Sequence, residues 1–395
     1  MRAGCKVWRR VGMQLGTAWV LGSVVAPLYA APPAFGTSTS SDTGHGFSFA
    51  VFGDLPHGPG DLRIADTVIG SLSLGDIAFA IDLGNIKGVE ERCSDRLYEQ
   101  RYDWLARAPV PLIYLPGEND WIACALHTDE HNEFSDPNQR LEALRTRFFP
   151  DTEALGAPGL RLSRQSSLAG FHAYRENVRW MHGGVAFTTV NAPGLNNHYL
   201  KGGGRNGEYE DREVATRVWL ERALSIATRD RARALIVAMG GSPWPTPHRV
   251  FSLAWLKTLT SQEIDGYKHL REQLARLAHQ FDGPVYLVHR TGDGSRQAGL
   301  AIELLPRRGA GRRELDGSPW QTRTGWLRVT VPAGAHPALR AHWVPVEPDG
   351  TVRMPADARA DGPAGTVPND APAAANVRRP VFLPLPDEHT IRRTH

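Results

Sequence analysis

An α/β fold is predicted for this 395-residue chain by short apolar runs that stop at glycine turns, by helical patterns between them, and by repetition of that alternation. Phe47, Phe49 and Val51 alternate ahead of Gly53 and predict a first strand. Ile77 to Leu83 and Pro111 to Leu115 are apolar runs of strand length that end at Gly84 and Gly117. Between them, Ser94 to Ala106 carries Leu97, Trp104 and Leu105, with Ser94 as an N-cap, which predicts a covering helix and completes a strand-helix-strand unit.

Ser135-Asp136-Pro137 opens the next helix, whose Leu141, Leu144 and Phe148 share one face. Val178 to Val190 predicts two strands around Gly183-Gly184, extending a second sheet and running into the turn Asn191-Ala192-Pro193-Gly194. Tyr209 to Ala227 predicts an exposed amphipathic helix, with Glu213, Arg217 and Glu221 on one side and Val214, Val218 and Ala223 elsewhere. Two more strands, Ala234 to Met239 and Pro284 to Val288, flank a helix from Asp265 to Phe281 in which Tyr267, Leu270, Leu274 and Leu277 are periodic. Three later β-like pieces, Ala301 to Leu305, Trp326 to Val331 and Leu339 to Val344, are expected to finish the second sheet. Five tryptophans, Trp121, Trp180, Trp219, Trp244 and Trp255, allow a carbohydrate- or lipid-facing platform, but their spacing lifts none above the ordinary background, and they read as core.

Composition divides the chain into four stretches. Arg2, Lys6, Arg9 and Arg10 precede a mostly apolar run from Val11 to Ala30 that ends in small residues, the pattern of a secretory signal peptide over residues 1–30. Gly12, Gln14, Gly16, Gly22 and Pro27 make that run a weak spanning helix, so no stable membrane span is expected after cleavage. Residues 31–44 form a lead rich in Pro, Ser, Thr and Gly, residues 45–346 carry the domain, and residues 347–395 read as a disordered tail rich in Pro and Ala. A periplasmic or secreted location follows from the leader. Losing it would remove Cys5 and leave Cys93 and Cys124 in a compartment that permits oxidation, either paired or as two buried free thiols, with pairing the expectation. A net charge of only +3 argues against a nucleic-acid partner.

In an open α/β sheet, the loops at the carboxyl ends of neighbouring strands converge on one crevice. Three such loops are Gly53-Asp54-Leu55-Pro56-His57, Gly84-Asn85-Ile86-Lys87 and Gly117-Glu118-Asn119-Asp120-Trp121. A hydrolytic two-metal centre needs hard oxygen and imidazole donors from several loops, and Asp54, His57, Asn119 and His289 are of suitable type.

These blocks resemble the calcineurin-like metallophosphoesterase superfamily, with its G-D-x-H, G-D-x-x, G-N-H-D/E-like and G-H-x-H motifs after successive strands. The wording is closest to a secreted branch, whose "G-D-I-K", "C-S-D-x-L-Y" and "P-G-D-N-E-W" stand here as Gly84-Asn85-Ile86-Lys87, Cys93-Ser94-Asp95-Arg96-Leu97-Tyr98 and Pro116-Gly117-Glu118-Asn119-Asp120-Trp121. The resemblance implies a four-layer α/β/β/α sandwich with metals at the strand ends. It places Asp54, Asn85, Asn119, His289 and Asp293 as metal ligands and His57 and His248 as acid-base groups, for divalent Mn, Fe or Zn and a small phosphate-ester substrate.

The chain also departs from the family pattern. Asn85 replaces the bridging aspartate, Gly240-Gly241-Ser242 stands where a histidine is due, and Asp293 replaces the second histidine of the last motif, leaving Asp82 or His248 as substitute donors. Two expectations follow. One is a phosphoesterase with a weakened, rearranged or single-metal site. The other is a catalytically inactive secreted pseudoenzyme or binding module that keeps the fold and holds metal poorly or not at all.

Overall fold

The computed structural model describes residues 36–37, 46–128, 134–150, 152–200, 206–244, 265–292, 299–307, 312–315, 319–321 and 324–354. The signal segment, His248, Trp255 and Asp293 lie outside the described residues.

The first sheet has six strands. At its centre β2 (Phe47–Phe52), β3 (Ile77–Asp82) and β4 (Pro111–Tyr114) pair in parallel, linked by α1 (Leu62–Ser71) and α2 (Asp95–Ala106). Ser94 caps α2 as expected, its hydroxyl accepting from the Leu97 amide at 3.2 Å. After β4 come the one-turn helix α3 (Glu118–Trp121) and α4 (Pro137–Phe148), which starts at the Asp136 cap with Pro137 in its first turn. The short β5 (Leu155–Gly156) closes one edge.

The second sheet runs β1 (Gly36–Thr37), β7 (Val178–His182), β8 (Val185–Val190), β9 (Leu235–Met239), β10 (Val285–Thr291), β11 (Gly299–Leu304), β12 (Arg313–Glu314), with β6 (Ser163–Arg164) on β7 and β13 (Trp320–Gln321) on β11. The 31–44 lead therefore supplies a strand, since Gly36–Thr37 pairs with β7. Helices α5 (Gly207–Arg229) and α6 (Lys268–Gln280) link β8, β9 and β10, which are parallel.

Two late strands depart from expectation. β14 (Gly325–Val331) and β15 (Arg340–Pro345) join the first sheet, β14 antiparallel to β2 and β15 at the edge, and of the three expected pieces β11 alone extends the second. Periodicity marks a strand but not its partner, because sheet choice depends on which edge is open. The described fold also runs past residue 347: Val352 bridges to Val346, and Met354 packs against the core beneath α1 and α2.

Three apolar clusters lie between four layers. Phe49, Phe79, Trp180, Phe187, Ile236 and Val288 fill the space between the sheets, with Trp180 stacked on Phe187 at 5.0 Å and Phe49 on Phe79 at 5.3 Å. Leu105, Leu141 and Phe148 bind α2 and α4 to the outer face of the first sheet, and Trp219, Leu220, Leu274 and Leu277 bind α5 and α6 to the outer face of the second. The fold is the α/β/β/α sandwich that the motifs imply. Cys93 and Cys124 form a disulfide across 31 residues of sequence, tying the lead-in to α2 to the segment after α3. Closing such a loop stabilises the fold by about 3–4 kcal/mol in the chain-entropy model.

Candidate functional site

The carboxyl ends of β2, β3, β4, β8, β9 and β10 meet at one end of the sandwich, and the predicted loops converge there. Gly84, at φ +86°, stands so close to the Leu115 carbonyl and the Gly117 backbone that any side chain would collide with them. The residues that follow the first two glycines, Asp54 and Asn85, are left-handed at φ 59° and 60°. Asp and Asn tolerate that conformation through their short polar side chains, so backbone geometry selects these residue types apart from any ligand role.

Asp54, Asn85, Glu118, Asn119 and Asp120 are all buried at the crevice floor. Asn85 sits at the centre. Its Nδ2 donates to Asp54 Oδ1 at 3.3 Å and to Glu118 Oε1 at 2.9 Å, while its Oδ1 accepts from the Asn119 amide at 2.9 Å. Asp120 binds the loops together, its carboxylate accepting from the Asn85, Ile86 and Gly117 amides and the Tyr114 hydroxyl at 2.7 to 2.9 Å. At the mouth, His57 Nδ1 lies 3.6 Å from Asp54 Oδ1 with the side chain 20% exposed.

His289 takes no part in this cluster. Val285 and Leu287 pack toward α5 and α6 while Tyr286 and Val288 face the other sheet, so the pleat turns His289 outward and Arg290 inward. The His289 ring lies against the Arg290 carbonyl (2.8 Å) and Glu303 (3.2 Å) instead. The residue that reaches the crevice from this strand is the next one, since a step of one changes the face.

Arg290 enters the crevice. Its guanidinium pairs with both oxygens of Glu118 and donates to the Leu83 carbonyl at 3.0 Å. Glu118 also accepts from the Gly194 amide at 3.2 Å. Burial works to raise the Glu118 carboxyl, but Arg290 and then Asn85 overcome it and hold the group below the usual carboxylate range. Asp82 and Asp120 respond in the opposite sense: burial lifts Asp82 well above its ordinary value and Asp120 to about 6. Lys87 is fully buried, its Nζ 2.8 Å from the Gly88 carbonyl, and burial lowers it to about 8.

Arg290 was not among the sequence candidates, and Lys87 and Glu118 appeared only as parts of motifs. The alternation of Tyr286, Val288 and Arg290 on one face was the available signal for Arg290, masked by the motif histidine beside it.

Beside the floor, Leu195, Asn196, Asn197 and His198 form a left-handed turn with φ from 53° to 58°. Asn196 and Asn197 tolerate that conformation, whereas Leu195, with no polar side chain to support it, carries a cost of about 1–3 kcal/mol there. Arg212 holds the turn through the Asn197 side chain and carbonyl (2.8 Å to the latter), Gly266 donates to Asn196 at 2.9 Å, and the His198 ring packs on Trp121 with centroids 4.7 Å apart.

The residues do not fit a dinuclear metal centre. The Asn85 oxygen is committed to Asn119, the Glu118 carboxylate to Arg290 and Gly194, and a permanent cation lies among the would-be ligands. Among the described residues, no group of three or more His, Cys, Asp or Glu side chains stands in a metal-holding arrangement.

No family model matches the chain, and no curated protein matches it. Among solved structures it is similar to GAP50, the anchor in the inner membrane complex of Plasmodium, at 12% identity, covering 77% of this chain and 90% of that one, with a TM-score of 0.37. It is similar to PhoD at 12% identity, covering 79% of this chain and 70% of that one, with a TM-score of 0.39. A glutamine-dependent NAD+ synthetase from Acinetobacter baumannii matches at 10% identity over 78% of this chain and 46% of that one, with a TM-score of 0.30. Likeness at this level says nothing about the side chains at the strand ends.

Proposed function

We propose that this chain is a phosphoesterase-like protein of an oxidising compartment outside the cytoplasm, working as a binding module whose strand-end crevice holds an internal ion pair in place of catalytic metal. The observation that carries this reading is the Arg290–Glu118 pair, buried at the point where the strand-end loops converge. A divalent ion about 4 Å from a guanidinium would meet repulsion of about 8 kcal/mol at an effective dielectric of about 20. Asn85, in place of a bridging carboxylate, withholds the negative charge that would offset it. The left-handed turn at Leu195 supports retention of a recognition rim, since strain of this kind persists at ligand clamps. The Cys93–Cys124 disulfide supports the compartment.

Purified protein assayed for Mn, Fe and Zn should carry well under one equivalent of metal. It should release no product from an aryl phosphate when those ions are added. Stoichiometric metal, or turnover that disappears on Asn119→Ala, would overturn the reading. A second reading, hydrolysis of phosphate esters, draws on the Asp54–His57 pair at the crevice mouth. Its mark would be turnover that falls on His57→Asn while the fold is unchanged.

A further inference from the structure

We infer that the segment Val381–Glu388 docks intramolecularly into an apolar groove on the open side of the sandwich. Both sheets end on that side, the first at β15 and the second at β12, and a cavity of about 570 Å³ lies between those edges. Its floor is the rim of the inter-sheet core, formed by Tyr286, Leu304, Leu315 and Leu339, and its exposed charged lining is two arginines, Arg313 and Arg340, against one carboxylate, Glu314. Among the described residues β15 is laddered as a strand only to β14, and although the Pro345 carbonyl already accepts from the Arg353 amide at 3.3 Å, Ala341 and Trp343 turn their backbone toward the open side, where an added strand would meet them.

The occupant is specified by chemistry and by reach. From Pro355 to Pro380 the only large apolar residues are Val367 and Val377, yet Val381, Phe382, Leu383 and Leu385 then fall within five positions. Pro380, Pro384 and Pro386 exclude a helix and favour an extended course. Asp387 and Glu388 supply the charge that complements Arg313 and Arg340. The described chain leaves beside the same edge, where Val352 bridges to Val346 just after β15. The 26 residues between Met354 and Val381 span about 25–30 Å as a flexible linker, enough to return to the groove.

Hydrogen exchange of the full-length chain, read by mass spectrometry, tests this. Backbone amides of Glu314, Ala341 and Trp343, which alternate away from β11 and β14, should exchange about tenfold more slowly in the wild type than in Phe382→Asp/Leu385→Asp. Arg313→Glu/Arg340→Glu should release the same amides, with thermal unfolding of all three proteins compared to exclude misfolding. Equal exchange in wild type and the tail variant overturns the proposal. So does protection that rises with protein concentration, which would make the occupant the segment of a second copy.

Discussion

At the scale of single residues, Asp120 shows how the crevice stores charge. Burial raises its carboxyl to about 6, although the Gly117 amide and Tyr114 hydroxyl pull the other way. A carboxyl whose folded value lies above its unfolded one gives stability that is complete below about pH 4 and lost as pH rises through about 6. A difference of about two units corresponds to roughly 3 kcal/mol. Urea unfolding at intervals between pH 4 and 7 should therefore show a falling contribution from this group. Asp120→Asn, which cannot ionise, should flatten that segment of the curve while lowering stability at pH 4, and an unchanged slope would assign the effect elsewhere. Glu118 runs in the opposite sense: its depressed value gives stability that is present above the ordinary carboxylate range and lost toward strong acid. The residues of these loops were legible as a cluster because each follows a strand and a glycine. The role of Arg290 was not, since motif matching aligns letters along the chain whereas the pleat decides which letter faces the crevice.

At the scale of elements, α5 separates what periodicity reveals from what packing decides. The sequence suggests an exposed helix with Val214 and Val218 among its apolar positions. Instead Val214 is 47% exposed, and Trp219, Leu220, Ala223, Ile226 and Ala227 form the buried stripe. Trp219 anchors it: its Nε1 donates to the Thr189 carbonyl at 3.1 Å and its ring lies 4.5 Å from the Arg179 guanidinium. Large-to-small changes at such positions leave cavities. Trp219→Ala should cost about 3–5 kcal/mol in chemical denaturation, whereas Val214→Ala should stay within about 0.5 kcal/mol. Equal losses at the two sites would mean that the helix is docked by another face. The helix is visible in the sequence, and Trp219 reads as core, but charges at four-residue spacing draw only its exposed side and do not mark which stripe the tryptophan belongs to. The late strands repeat the lesson, because β14 and β15 were recognisable as strands while their sheet was set by the free edge beside β2.

At the scale of the molecule, the scaffold keeps its loops convergent whatever their side chains do, because three apolar cores fix the strand ends and Gly84 and Gly117 lock backbone to backbone. If ion-pair chemistry has displaced metal chemistry on an intact frame, two substitutions together should reverse part of the exchange. Arg290→Ala alone leaves the Glu118 carboxylate buried without its cation, and losses of about 3–5 kcal/mol attend a broken buried pair. Asn85→Asp alone removes the amide that donates to Asp54 and Glu118 and sets a third carboxylate beside them while the guanidinium remains. Combined, they gather carboxylates with no guanidinium between them, a site that must take up protons or an added cation to be neutral. The double variant should be the least stable of the set in chelator, and its melting temperature should climb with Mn or Zn concentration. A ligand at about 100 times its Kd contributes about 2.7 kcal/mol. Wild type, already neutralised by Arg290, should show no such climb; a double variant equally indifferent to metal would mean that these loops no longer present their oxygens to a common point.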